Sequence, residues 1–176
     1  PRRLDPSQYQ IPRQPVGIVF CTKPGRPVRI ARDVPLRVRE ALEFNAENNG
    51  IKPIAWSIIP DHLHVAAQVG GDGGDLLKFI HGFKKRAGRT IHEAGIVGPI
   101  WQRSFWDRHL RPKEPLAKLV QYVAWNPVEE GLCDLWHRWR HTWLDDDPGR
   151  YGLGGTKAWS GGRKNDGPVR RLSPPE

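Results

Sequence analysis

The stretch IPDHLHVAAQV, residues 59–69, sets two histidines two positions apart at the head of an apolar run. Read as a β-strand it alternates faces, so His62, His64, Ala66 and Gln68 share one side and Leu63, Val65, Ala67 and Val69 the other. Two such imidazoles stand roughly 7 Å apart along the pleat and can converge on one small ligand, a divalent ion or a phosphate. An isolated H-x-H is also an ordinary polar strand face, so the surrounding chain has to decide between the two.

Outward from that strand the elements alternate. PVGIVFCT (15–22) is a short β-branched run that reads as a buried strand. PLRVREALEFNAENN (35–49) puts Val38, Ala41 and Leu42 on one helical stripe, with Pro35 at its start and Gly50 just past its end. IKPIAWSII (51–59) is a second strand, joined to the histidine strand (62–69) through Pro60-Asp61. A second helix follows, with Asp75 as N-cap and Leu76, Ile80, Phe83 and Ala87 on its apolar face, and Lys78, Lys85 and Arg89 opposite. IWQRSFWDRHL (100–110) reads as a fourth strand. The order βαββαβ predicts an α+β domain of ferredoxin-like type, an antiparallel sheet with both helices on one face.

One more helix is expected in EPLAKLVQYVAWNPVEEGL, where Leu116, Leu119, Val120 and Val123 form the stripe that packs on the sheet. Tyr122 and Asn126 lie one turn apart on the shoulder of that stripe, and Lys118 one turn before them. Alone, Tyr122 reads as an amphipathic packing residue. Asn126, ahead of Pro127, is expected to end the helix.

Twenty-eight Lys and Arg against nineteen Asp and Glu give a formal charge of +9, which favours a polyanionic partner, nucleic acid first. No apolar run of about 18 residues or signal-peptide pattern is present, so the expectation is no membrane partner and a soluble, cytoplasmic, nucleoid-associated protein. Cys21 and Cys133 stand far apart and predict neither a zinc knuckle nor a disulfide framework. Residues 1–14 read as a flexible arm, 15–145 as one domain, and 146–176 as a Gly/Pro/Arg-rich tail. Lys78, Lys84, Lys85, Arg86 and Arg89 form a basic segment that reads equally as a grip for phosphates or as a solvated helix face, and Arg103, Arg138 and Arg140 are further candidate cations for DNA. LWHRWRHTWL mixes Trp136, Trp139 and Trp143 with Arg138 and Arg140; the spacing i, i+3, i+7 favours a helix docked on the core over a base-stacking surface.

Taken together and in order, IIPDHLHVAAQV, IWQRSFWDRHL and LVQYVAWNPVEEGL resemble the REP-associated tyrosine transposases, relatives of the insertion-sequence transposases within the HUH endonucleases. The resemblance covers residues 15–145 and implies a ferredoxin-like fold. It implies that His62, His64 and Asn126 hold Mg²⁺ or Mn²⁺ and that Tyr122 attacks single-stranded DNA, leaving a 5′-phosphotyrosine and a free 3′-hydroxyl. The implied partner is single-stranded or hairpin DNA carrying palindromic repeats, bound by a monomer or a homodimer. A phenol suits this chemistry because the covalent link preserves the bond for rejoining, and with an ordinary pKa of about 10 it needs a cation such as Lys118 nearby. Asp107 and His109 share a side by parity and are expected to support the metal or the tyrosine from behind. Glu129 and Glu130 depart from the family pattern, which often carries small or basic residues there. Two alternatives stay open: a domesticated repeat binder or nickase of the same fold, and, less favoured because Ala66 stands where a third alternating histidine would be, a histidine-dependent phosphoesterase.

Overall fold

Alternation along the histidine strand builds both layers of the molecule. The computed structural model describes residues 5–24, 34–111 and 113–154. Its main elements are β1 (Pro15–Cys21), α1 (Val34–Asn48), β2 (Ile51–Ile58), β3 (His62–Val69), α2 (Leu76–Glu93), β4 (Trp106–His109), α3 (Leu116–Glu129) and β5 (Thr142–Leu144). The strands form one sheet in the order β4-β1-β3-β2-β5, with every neighbouring pair antiparallel. The first four strands thus have the expected ferredoxin-like arrangement, and β5 adds an edge that the sequence reading lacks.

Leu63, Val65, Ala67 and Val69 face α1 and α2, where they join Val16, Ile18 and Phe20 of β1 with Phe79, Ile80 and Phe83 of α2 in the larger core. Asp75 caps α2 by accepting from Lys78 N at 2.9 Å, and Gly50 ends α1 with φ +63°, both as the pattern predicts. The other parity, His62, His64 and Ala66, faces α3. In register, Gly17 of β1, Ala66 of β3 and Ala55 of β2 lie side by side across the sheet, forming a trough of small residues. Leu119, Val120, Val123 and Ala124 of α3 pack into it as a second core. Helices therefore cover both faces, two on one and α3 on the other.

Four expectations need correction. The N-terminal arm is not free from residue 5 onward: Asp5 caps a 3₁₀ turn over Pro6–Gln10, and Tyr9 is buried against the larger core. The folded part also passes 145, since Tyr151 and Leu153 are buried against α3, while residues 155–176 of the expected tail lie outside the described residues. Of the expected fourth strand only Trp106–His109 pairs as a strand, because Trp101 turns into the core against Phe20 and Phe83. The tryptophan-rich segment is no helix: Trp136–Arg138 is one 3₁₀ turn, and Thr142–Leu144 is β5, where Trp143 stacks on Trp56 with centroids 4.0 Å apart.

A Cβ on Gly17 would stand 2.9 Å from Leu119 Cδ1. Gly17→Val should therefore lift α3 and cost about 1–3 kcal/mol in denaturant unfolding. Leu119→Ala in the same chain should recover part of that loss, and strictly additive losses in the double variant would show that Leu119 is not the obstacle.

Candidate active site

The two histidines emerge on the α3 side of β3 with rings 4.7 Å apart, edge to face. Asp61, in the turn before β3, places Oδ1 2.8 Å from His62 Nδ1. An ionised carboxylate only accepts, so His62 donates through Nδ1–H and is left with Nε2 as the atom able to bind an ion. That hydrogen bond is also the main reason the Asp61 carboxyl sits below the usual carboxylate range. His64 is 3% exposed, and its Nε2 has no hydrogen-bond partner. Burial first, and the neighbouring His62 second, hold its pKa well below the ordinary 6.5, so the ring is a neutral base at neutral pH.

Seated in the small-residue trough, α3 brings Tyr122 edge-on to His64 of the same chain, with centroids 5.1 Å apart and planes at 86°. The phenol is 42% exposed, whereas Asn126, one turn on, is 4% exposed with Oδ1 buried and unpartnered. The helix does not stop at Asn126: it runs through Pro127 to Glu129, because Asn126 and Pro127 are both buried and their packing outweighs the local bias. Partial burial, and after it Glu129 and Glu130, push the Tyr122 phenol above its ordinary pKa, while Arg108 of β4 pulls the other way. Lys118 is exposed one turn before Tyr122.

The polar atoms left unpaired here suit a metal ion. Unpartnered, desolvated nitrogen and amide oxygen are costly unless something binds them, and two such atoms are His64 Nε2, whose ring lies beside His62, and Asn126 Oδ1, one helical turn from Tyr122. Among the described residues no three His, Cys, Asp or Glu side chains gather around one point. An ion at this place would rest on two imidazoles and one amide, leaving positions for solvent and a phosphate oxygen.

Other expected residues lie elsewhere. Asp107 and His109 share a side, but register sets them opposite Ile18 and Val16, on the α1–α2 face. Asp107 accepts from Tyr9 Oη at 2.6 Å, so neither residue stands behind the histidine pair. Lys78, Lys85, Arg86 and Arg89 are exposed on α2, across the sheet from Tyr122, with Lys78 3.4 Å from Asp75 and Arg86 over the Phe44 ring. Lys84 donates to the Gln102 carbonyl at 2.6 Å and so braces the loop before β4. Arg103 and Arg140 are exposed, and Arg138 pairs with Asp134. Two residues near the site were missed: Asp61, whose signal was its place directly ahead of His62, and Arg108, which has the parity opposite to Asp107.

The family described as "Transposase IS200 like" matches residues 12–124. A REP-associated tyrosine transposase of Haemophilus influenzae is 25% identical over 118 residues, 59% of this chain and 65% of that protein. One from Escherichia coli K12 is 26% identical over 96 residues, 54% of this chain and 56% of that protein. The chain thus aligns with less than two thirds of either relative's length. Among solved structures, a REP-associated tyrosine transposase bound to a REP hairpin superposes with a TM-score of 0.68 at 21% identity, covering 94% of this chain and 98% of that one. With its histidine strand and tyrosine helix on one face of a ferredoxin-like sheet, the chain belongs to the IS200-like transposase family, and its curated relatives are REP-associated tyrosine transposases.

Proposed function

We propose that this protein cuts and rejoins single-stranded DNA beside hairpin-forming palindromic repeats, with Tyr122 as nucleophile and His62, His64 and Asn126 holding Mg²⁺ or Mn²⁺. One observation carries the reading: the Tyr122 ring abuts His64, whose buried Nε2 is unpartnered, within the same chain. The hairpin bound to the structural relative supports the choice of DNA form.

Tyr122 Oη attacks the scissile phosphorus, the bond from phosphorus to the 3′-oxygen breaks, and that oxygen leaves with a proton as a 3′-hydroxyl. The 5′-phosphate stays on Tyr122, and attack by another 3′-hydroxyl reverses the step and restores the phenol. When bound, the ion would polarise the phosphate and offset its developing charge. His62 is oriented for this by Asp61, and His64 is kept unprotonated by its burial. The trough under α3 keeps Tyr122 beside the histidines, the kind of positioning on which in-line displacement depends.

Incubation with single-stranded palindromic oligonucleotides and Mn²⁺ should give a covalent adduct on a denaturing gel. Tyr122→Phe should abolish it while binding persists; normal cleavage by that variant would remove Tyr122 as nucleophile. The acid side offers a second measurement. Because folding depresses the His64 pKa, the stability from its neutral form is present above about 6.5 and is lost as pH falls below that value. The unfolding midpoint should fall accordingly, and His64→Asn should flatten the slope; equal slopes in both proteins would clear His64 of that role. On the alkaline side, Glu129 and Glu130 raise the phenol, so changing both to Gln should move the rising limb of the cleavage rate to lower pH. An unmoved limb would mean that phenol ionisation does not govern the rate.

A further inference from the structure

We infer that the α3-side face of β4 is a subsite for one unpaired nucleotide next to the scissile phosphate, with Trp106 stacking its base and Arg108, braced by Glu114, holding its phosphate. The inference rests on the reading of Tyr122 and the histidines as a DNA-cleaving site, and adds the residues that would seat the strand there.

Register gives the placement. Val19 pairs with His64 on one side and with Trp106 on the other, so Trp106 shares the histidine face, two strands or roughly 10 Å across. Its indole is 42% exposed, the same fraction as Tyr122, and among the described residues it stacks on no other ring. A half-exposed indole on a catalytic face offers what an unpaired base needs, a flat π surface that accepts any base.

Arg108 is next on that face, opposite Gly17 and at the rim of the trough that seats α3. Its Nη1 and Nη2 each donate at 2.7 Å to the two oxygens of Glu114, which also accepts from Arg111 N at 3.1 Å. The bidentate pair fixes the guanidinium yet uses two of its five N–H donors, leaving three for a phosphate. Arg108, and after it the Arg111 backbone N–H, hold the Glu114 carboxyl down at about 2, so the brace persists across the working pH range. An exposed ion pair of this kind adds little to stability, about 0–1 kcal/mol, so fold stability alone is a weak reason for the arrangement. The basic face of α2, across the sheet, is left for more distant parts of a bound strand.

The test uses the full chain carrying Tyr122→Phe, without metal, so that it reads binding separately from cleavage. A labelled oligothymidylate of about fifteen nucleotides, titrated by fluorescence anisotropy, samples base stacking without sequence readout. Trp106→Ala should weaken binding roughly 10- to 100-fold, and Trp106→Phe by no more than about threefold. Trp106→Leu separates stacking from packing: it should bind as poorly as the Ala variant, and wild-type affinity with Leu would overturn the stacking assignment. Arg108→Gln should weaken binding and lower the salt slope by about 0.7, the loss of one single-strand phosphate contact. Glu114→Gln should raise dissociation with the salt slope unchanged. Trp106→Ala binding as tightly as the parent, or a parent that fails to bind the oligonucleotide, would sink the subsite. Absence of the Tyr122 adduct with these binding effects intact would instead count against the cleavage reading alone.

Discussion

The arrangement hangs on the packing of α3 into a row of side chains too small to keep it away. Gly17, Ala66 and Ala55 line up across three strands, and helix ridges can approach a sheet closely only where such residues make room. Leu119, Val120, Val123 and Ala124 fill that room. Tyr122 then has its position set by helical geometry, over the next row of the sheet where His64 sits, with Asn126 one turn on. The same close packing dries the histidine side of the site, and dryness holds the His64 ring neutral.

Electrostatically the site is a set of opposed pulls. Burial and two carboxylates make Tyr122 a more reluctant acid, and Arg108 partly offsets them. A phenol tuned this way stays protonated around neutral pH. Asp61 acts in another sense: it leaves His64 untouched and sets which nitrogen His62 turns inward.

Much of this was legible in residue order. Period-two alternation found β3 from His62 to Val69, the 3.6-residue stripe found α2 and α3, and the shoulder placement of Tyr122 and Asn126 followed from the same period. Parity told which residues of β4 travel together but not which way they face. Parity alone allows Asp107 and His109 to face the site, whereas pairing with Ile18 and Val16 turns them inward and leaves the histidine face to Trp106 and Arg108. The segment from Trp136 to Leu144 was misread because its spacing suits a helix. Backbone pairing along β2, with Ile58 N donating to His141 O at 3.1 Å, and the Trp56–Trp143 stack overrode that local signal. Asn126 before Pro127 likewise reads as a stop in any short window and is passed only because tertiary burial favours continuation.

Tyr122 meets His64 of its own chain, so under the proposed reading the nucleophile and an ion ligand belong to one polypeptide. Each polypeptide also has one phenol at that place, and a phenol can carry one strand end at a time. If the proposed chemistry holds, keeping both ends of an excised segment tethered at once is therefore a matter of stoichiometry: it would take two phenols, and so two polypeptides.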